Sequence, residues 1–200
     1  MQKLKDKVIL ITGAGKGRGR ILAQALAKHG AIIAANDISP INVEAVVDEI
    51  NRQGGRAKAY VEDVAKKVGV QNCINQVEDD FGRIDILINH AAVQPGVSLL
   101  SMDEWDWHRV LDVNLTGAFL MSQSVARLMS GQGSGVIIHL LAGAESDERP
   151  EAAYVASMAG LAGLARQMAR ELHPLGIQVH GVQAGQEQVV EVVLALLEEA

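Results

Sequence analysis

Short apolar runs, many of them β-branched, alternate with longer stretches of helical periodicity along nearly the whole 200-residue chain. Lys7–Thr12, Ala31–Ala35, Lys58–Val61, Ile84–Ile88, Gly135–Leu141 and Ile177–Val182 read as strands. Between and after them, Arg18–His29, Asn42–Ile50, Val68–Val77, Trp105–Met129, Ala152–Leu172 and Gln188–Leu197 read as helices. Gly30 and the Gly54-Gly55 pair stand where the first two helices should stop. A strand that is apolar along its length must be buried on both faces, and a strand–helix–strand crossover is right-handed. The pattern therefore predicts an α/β fold: a doubly wound parallel sheet with helices on both faces. No internal repeat, low-complexity tract or linker divides it, so residues 1–200 read as one domain.

Composition narrows the function classes. Aromatic residues make up 3% of the chain, so the core must be built from Ala, Val, Ile and Leu. A formal charge of -6 argues against the basic face that sequence-independent nucleic-acid binding needs. Cys73 is the single cysteine, which excludes an internal disulfide and a multi-cysteine metal site, and no metal centre is expected. No stretch of ~18 apolar residues suggests a membrane span, and a reducing, cytoplasmic setting is the expectation.

Thr12-Gly13-Ala14-Gly15-Lys16-Gly17-Arg18-Gly19 lies directly between the first strand and the first helix. Glycines there permit a tight turn and let backbone approach a pyrophosphate at the positive helix N-terminus. A tight turn without a ligand is the alternative. About 20 residues beyond the loop, Asp37 follows the second apolar run, where a carboxylate accepts hydrogen bonds from ribose hydroxyls and repels a 2′-phosphate. NAD is thus favoured over NADP, a solvated loop acid being the other reading.

Taken in order, the motifs identify the chain as resembling the short-chain dehydrogenase/reductase family, whose members have a Rossmann fold. Thr12–Gly19 is similar to that family's TGxxxGxG signature, and Asp63-Val64 looks like its adenine-contacting pair. Asn89-His90-Ala91-Ala92 resembles its NNAG segment, and Asn114 falls at its structural and catalytic asparagine. Tyr154-Val155-Ala156-Ser157-Met158 occupies its YxxxK site. The resemblance implies NAD contacts at Gly13, Gly17, Arg18, Gly19, Asp37, Asp63, Val64 and Asn89; weakened or lost NAD binding is the alternative, since Met158 removes the family's ribose contact.

The same resemblance exposes two departures. The family's lysine, one turn beyond the tyrosine, lowers the phenol pKa and holds the nicotinamide ribose; here that position is Met158. Its serine belongs near the end of the fifth strand, which reads Leu140-Leu141-Ala142. A phenol without a cationic partner has a pKa of about 10, leaving on the order of one molecule in a thousand ionised at pH 7. A missing oxyanion-type donor typically costs a further ~10²–10³ in rate. Ser146, His139 and His90 are possible substitutes, but a loop serine, a packed strand histidine and a polar loop-end residue describe them more simply. Glu145, Asp147, Glu148 and Glu151 read as a solvated acidic face.

Arg18 is a further departure, because the family places an apolar residue between those two glycines; its guanidinium would either bind the pyrophosphate or fill part of the site. The chain is also expected to stop after the sixth strand and one more helix, without the family's substrate lid. Against this, the helices Trp105–Met129 and Ala152–Leu172, which form an intersubunit bundle in the family, look intact. Ala153, Ala156, Ser157, Gly160 and Gly163 leave the second of them small enough for close approach. The expectation is a non-catalytic subunit, with no catalytic residue of its own, that pairs with a catalytic paralogue or self-associates through those helices. Two alternatives stay open: an active NAD-dependent oxidoreductase using Tyr154 with a non-standard helper, and an NAD-binding sensor module.

Overall fold

The computed structural model describes residues 4–141 and 152–199. Six strands form one parallel sheet: β1 (Val8–Thr12), β2 (Ile32–Asp37), β3 (Arg56–Val61), β4 (Ile86–Asn89), β5 (Gly135–Leu140) and β6 (Ile177–Val182). Their order is β3-β2-β1-β4-β5-β6, so the winding reverses between β1 and β4. That is the switch point where such sheets open a crevice at the carboxyl ends of the strands.

Period-two alternation sends successive side chains to opposite faces, and each face has its own core. Ile9, Ile11, Ile33, Ile88, Ile138 and Leu140 pack under α1 (Gly17–Lys28), α2 (Pro40–Arg52) and α7 (Val189–Glu199). On the other side Leu10, Leu87, Ile137, Ile177 and Val179 pack under α3 (Lys67–Phe81), α5 (Ala118–Gln132) and α6 (Ala152–Leu172). Among the described residues no helix is long and apolar enough to cross a membrane.

Most element ends differ from the sequence reading by a few residues, and two differences have a clear physical reason. The second helix starts at Pro40 rather than Asn42, because Ser39 caps it by accepting from the Asn42 N–H and proline fits the first turn. The stretch read as one helix over Trp105–Met129 is α4 (Glu104–Leu111), a π-helical segment at Asp112–Gly117, and then α5. One wide turn in the middle of a helix barely disturbs its apolar periodicity, so the pattern does not reveal it.

Candidate active site

The glycine loop follows β1 because its backbone is bent in ways a side chain would obstruct. Gly13 sits at φ +65°, and a Cβ there would meet the Ala91 Cα at 2.8 Å. A Cβ on Gly19 would lie 2.4 Å from the Gly13 carbonyl oxygen. These two glycines are therefore required by the loop itself. Gly17 is different. It has φ +56°, is exposed, and nothing lies nearer its Cβ position than the His90 ring at 3.9 Å. Helix α1 starts there with no side-chain cap and no acidic residue in its first turn. An open backbone turn on an uncapped helix N-terminus fits a bound pyrophosphate.

Beside the loop, Asp37 ends β2 with its carboxylate buried. One oxygen accepts from the Gly15 N–H at 2.9 Å and the other from the Ser39 N–H at 3.0 Å. A cavity of about 420 Å³ opens next to it, lined by Gly13, Asp37, Asp63, Val64 and Ala92 among others. That volume lies within the range of cofactor and ligand sites. The residue types match an adenosine half-site: a carboxylate for ribose hydroxyls and an apolar Val64 beside Asp63, whose Oδ1 is turned to the Ala65 N–H. Trp105 and Arg109 also reach this cavity, the guanidinium lying 5.2 Å from the indole centroid. The sequence offers no signal for them, since both read as ordinary residues of a long helix.

Asn89 is not brought into this cavity. It ends β4 buried, with Nδ2 donating to Ser122 Oγ at 2.9 Å on the α5 side. Its Nδ2 also lies 3.4 Å from His139 Nδ1, and His139, on the interior strand β5, is wholly buried. Burial depresses the His139 pKa to about 4, so the ring is a neutral strand residue. His90 is neutral as well: burial, then the Arg18 charge, lower its pKa to about 4. Its Nδ1 lies 3.0 Å from the Gly13 carbonyl, which only accepts, so that nitrogen carries the proton. His90 therefore braces the glycine loop, in keeping with the simpler reading of both histidines. Ser146 and the acidic Glu145, Asp147, Glu148 and Glu151 lie outside the described residues.

Tyr154 stands in the first turn of α6, half-buried, and Met158 is buried one turn beyond it. The backbone at Tyr154 is tied inward: Ser157 Oγ donates to the Tyr154 carbonyl at 2.8 Å and accepts from Asn114 Nδ2 at 3.1 Å. Asn114 also accepts from the Val93 N–H at 2.8 Å and donates to the Val93 carbonyl at 3.1 Å, from within the π-helical turn. Across from this, the Arg18 side chain crosses from α1 to the ends of two strands. Its Nη1 donates to the Leu141 carbonyl at 2.9 Å and the Ala184 carbonyl at 2.8 Å. Burial raises the Tyr154 phenol pKa, and the Arg18 charge acts against that rise.

Comparison with known proteins gives the same family as the motifs. Residues 7–192 match a family model described as short chain dehydrogenase. The (2S)-[(R)-hydroxy(phenyl)methyl]succinyl-CoA dehydrogenase subunit BbsD of Thauera aromatica is 36% identical over 182 residues, covering 91% of this chain and 73% of that protein. The 3-oxoacyl-[acyl-carrier-protein] reductase FabG of Staphylococcus epidermidis is 40% identical over 182 residues, covering 90% and 75% respectively. The crystal structure of an NAD+-bound xylitol dehydrogenase is similar with a TM-score of 0.85 at 34% identity, covering 92% of this chain and 71% of that one.

These relatives are named as oxidoreductases, and none is described as a non-catalytic support. The expectation of a non-catalytic subunit, with no catalytic residue of its own, is corrected accordingly. It rests on the replacement of the family's lysine by Met158, the lack of its serine at Leu140-Leu141-Ala142 and the expected loss of its substrate lid.

Proposed function

We propose that this chain, which belongs to the short-chain dehydrogenase/reductase family, is an active NAD-dependent oxidoreductase that interconverts an alcohol and a carbonyl compound. Tyr154 is its proton-exchanging group. The observation that carries this reading is an open, uncapped glycine turn and a buried Asp37 beside a cavity of about 420 Å³, with Tyr154 held at the start of α6 through Ser157 and Asn114. The departures at Met158 and Leu140-Leu141-Ala142 change how the phenol is supported rather than abolishing its use.

Gly13, Gly17, Gly19 and the backbone N–H of Arg18 at the α1 N-terminus hold the pyrophosphate, the Arg18 guanidinium being tied to the Leu141 and Ala184 carbonyls; Asp37 holds the adenosine ribose, and Asp63 and Val64 the adenine, with Asn89 bracing the strand end from below. Asp37 also disfavours a 2′-phosphate, which is why NAD rather than NADP is the cofactor in this reading. The bound nicotinamide supplies the hydride acceptor or donor. Tyr154 Oη takes the substrate hydroxyl proton in the oxidative direction and returns it in the reductive one. The Asn114–Ser157 hydrogen bonds hold the Tyr154 backbone while it does so. The named substrates of the relatives, hydroxyacyl and oxoacyl thioesters and a sugar alcohol, mark the classes to try first.

Association belongs to the same proposal. The helices read as Trp105–Met129 and Ala152–Leu172 supply a face for self-association, and a paralogue would use the same face. The setting is cytoplasmic, in keeping with one buried, unpaired cysteine.

Replacing Tyr154 with Phe tests the central role. The variant is expected to bind NAD as the unmodified chain does in calorimetry, yet to turn over at least about 10²-fold more slowly, the usual worth of general acid–base help. Equal turnover by the two would refute the assignment. NAD binding without turnover by the unmodified chain would favour the sensor alternative.

A further inference from the structure

We infer that the Arg18 side chain makes this site favour adenosine nucleotides that end at the diphosphate over whole dinucleotides, because its guanidinium is tied across the strand ends that a second nucleoside has to cover. This rests on the cofactor placement proposed above and names the residue that decides how much of the cofactor binds without rearrangement.

The first half of the site is built on the ends of three neighbouring strands. The glycine turn follows β1, the Asp37 carboxylate ends β2, and Asp63-Val64 comes after β3. One cavity of about 420 Å³ runs along Gly13, Asp37, Asp63 and Val64, and the stacked pair Trp105 and Arg109 adds to its lining. An adenosine diphosphate finds there a carboxylate, an apolar wall and an uncapped helix N-terminus.

The diphosphate is the middle of a dinucleotide. With the first nucleoside on the ends of β2 and β3, a second of similar size extends the same two strand spacings the other way, ~10 Å, over β4 to the end of β5. The Arg18 side chain takes that course. From the first turn of α1 its Nη1 reaches the Leu141 carbonyl at 2.9 Å, one residue past β5, and the Ala184 carbonyl at 2.8 Å, two residues past β6. β4 lies between β1 and β5, so the side chain spans its end on the way. The Leu141 N–H pairs with the Val182 carbonyl at 2.8 Å, so one end of the tether is anchored where the two strands are still paired. Neither Leu141 nor Ala184 lines the adenosine cavity.

The guanidinium can leave while the loop stays. The loop is shaped by the close approaches at Gly13 and Gly19, by the His90 Nδ1–H donated to the Gly13 carbonyl, and by Thr12 Oγ1 accepting from the His90 and Ala91 N–H groups at 3.1 Å. None of these uses the Arg18 side chain, which is half-buried. A dinucleotide must therefore displace two charged hydrogen bonds that a mononucleotide leaves in place.

Calorimetry of the whole chain with ADP and with NAD tests this. The unmodified chain should bind NAD no more tightly than ADP, although NAD brings a second nucleoside. Arg18→Met keeps the backbone N–H and most of the side-chain length but removes the donors. It should bind NAD about tenfold more tightly or better, the factor lost by a site that is open about a tenth of the time, and ADP as before. Arg18→Ala should do the same.

NAD binding about tenfold or more tighter than ADP in the unmodified chain overturns the inference, and that comparison needs no variant. An unchanged NAD affinity in both variants overturns it, as does failure of the unmodified chain to bind ADP. Weaker binding of ADP and NAD alike in Arg18→Met makes the guanidinium a phosphate ligand and also overturns it. Turnover separates this inference from the oxidoreductase reading. The expected affinities in a chain that never forms NADH keep the first and sink the second; turnover with an NAD affinity that Arg18→Met and Arg18→Ala leave unmoved does the reverse.

Discussion

His139 shows how much a single buried base ties this fold to pH. Its ring is fully buried and pairs in register with Asn89 on β4, and neither His139 Nε2 nor Asn89 Oδ1 has a partner among the described residues. Burial holds the folded-state pKa at about 4, whereas an unfolded imidazole titrates near 6.5. Between those values the unfolded chain binds more protons than the folded one. Stability therefore falls as pH is lowered through that window, at up to about 1.4 kcal/mol for each pH unit crossed. His90 adds to the fall with the same sign. Urea unfolding of His139→Asn at pH 7 and near pH 4.5 should show a smaller difference between the two conditions than the unmodified chain does. An unchanged difference would contradict this assignment. The letters at positions 18, 90, 139 and 158 are all legible in the sequence, and so is the simpler structural reading of both histidines. What stays hidden there is the path of the Arg18 side chain, which crosses to the Leu141 and Ala184 carbonyls past the ends of β5 and β6, and no spacing rule along the chain encodes that.

At the scale of elements, strand identity and order of appearance are legible because continuous apolar runs have one stable use in an alternating chain. β6 and α6 have the bounds that their periodicity predicts, and the remaining ends differ by a few residues, where capping decides. The π-helical turn at Asp112–Gly117 is not legible, since Asn114 is polar in either kind of helix; only the structure shows it satisfying the Val93 backbone where the helix widens. Helix α6 packs on that turn, the Cβ position of Gly160 lying 3.0 Å from Leu115 Cδ2, so part of its small-residue content serves packing within the chain. These two helices still carry exposed apolar groups, Phe119 on α5 and Val155 on α6. If these helices associate as proposed, sedimentation at micromolar concentration should show a dimer or larger species. A double substitution, Phe119→Arg with Val155→Arg, should then dissociate it without loss of helix content. A monomer at every concentration would remove the association proposal and leave the site unaffected.

For the molecule as a whole, the reversal between β1 and β4 explains why residues as distant as Gly13, Asp37 and Asp63 share one end of the sheet. In the sequence this end is a series of separate motifs, and the adenosine half of the site is readable from them because the loop, Asp37 and Asp63-Val64 each follow a strand directly. The catalytic half is not, because the motif is broken at Met158 and at Leu140-Leu141-Ala142, while the hydrogen bonds through Ser157 and Asn114 that hold the Tyr154 backbone appear only in the fold. On the proposed function the chain is an enzyme in its own right. The measurement that bears on it most directly is NADH formation by the chain purified free of every other polypeptide, supplied with NAD and a panel of secondary alcohols that includes 3-hydroxyacyl thioesters and sugar alcohols. Steady NADH formation on at least one of them, lost in Tyr154→Phe, is the predicted result. A rate on all of them no greater than that of Tyr154→Phe would contradict the account.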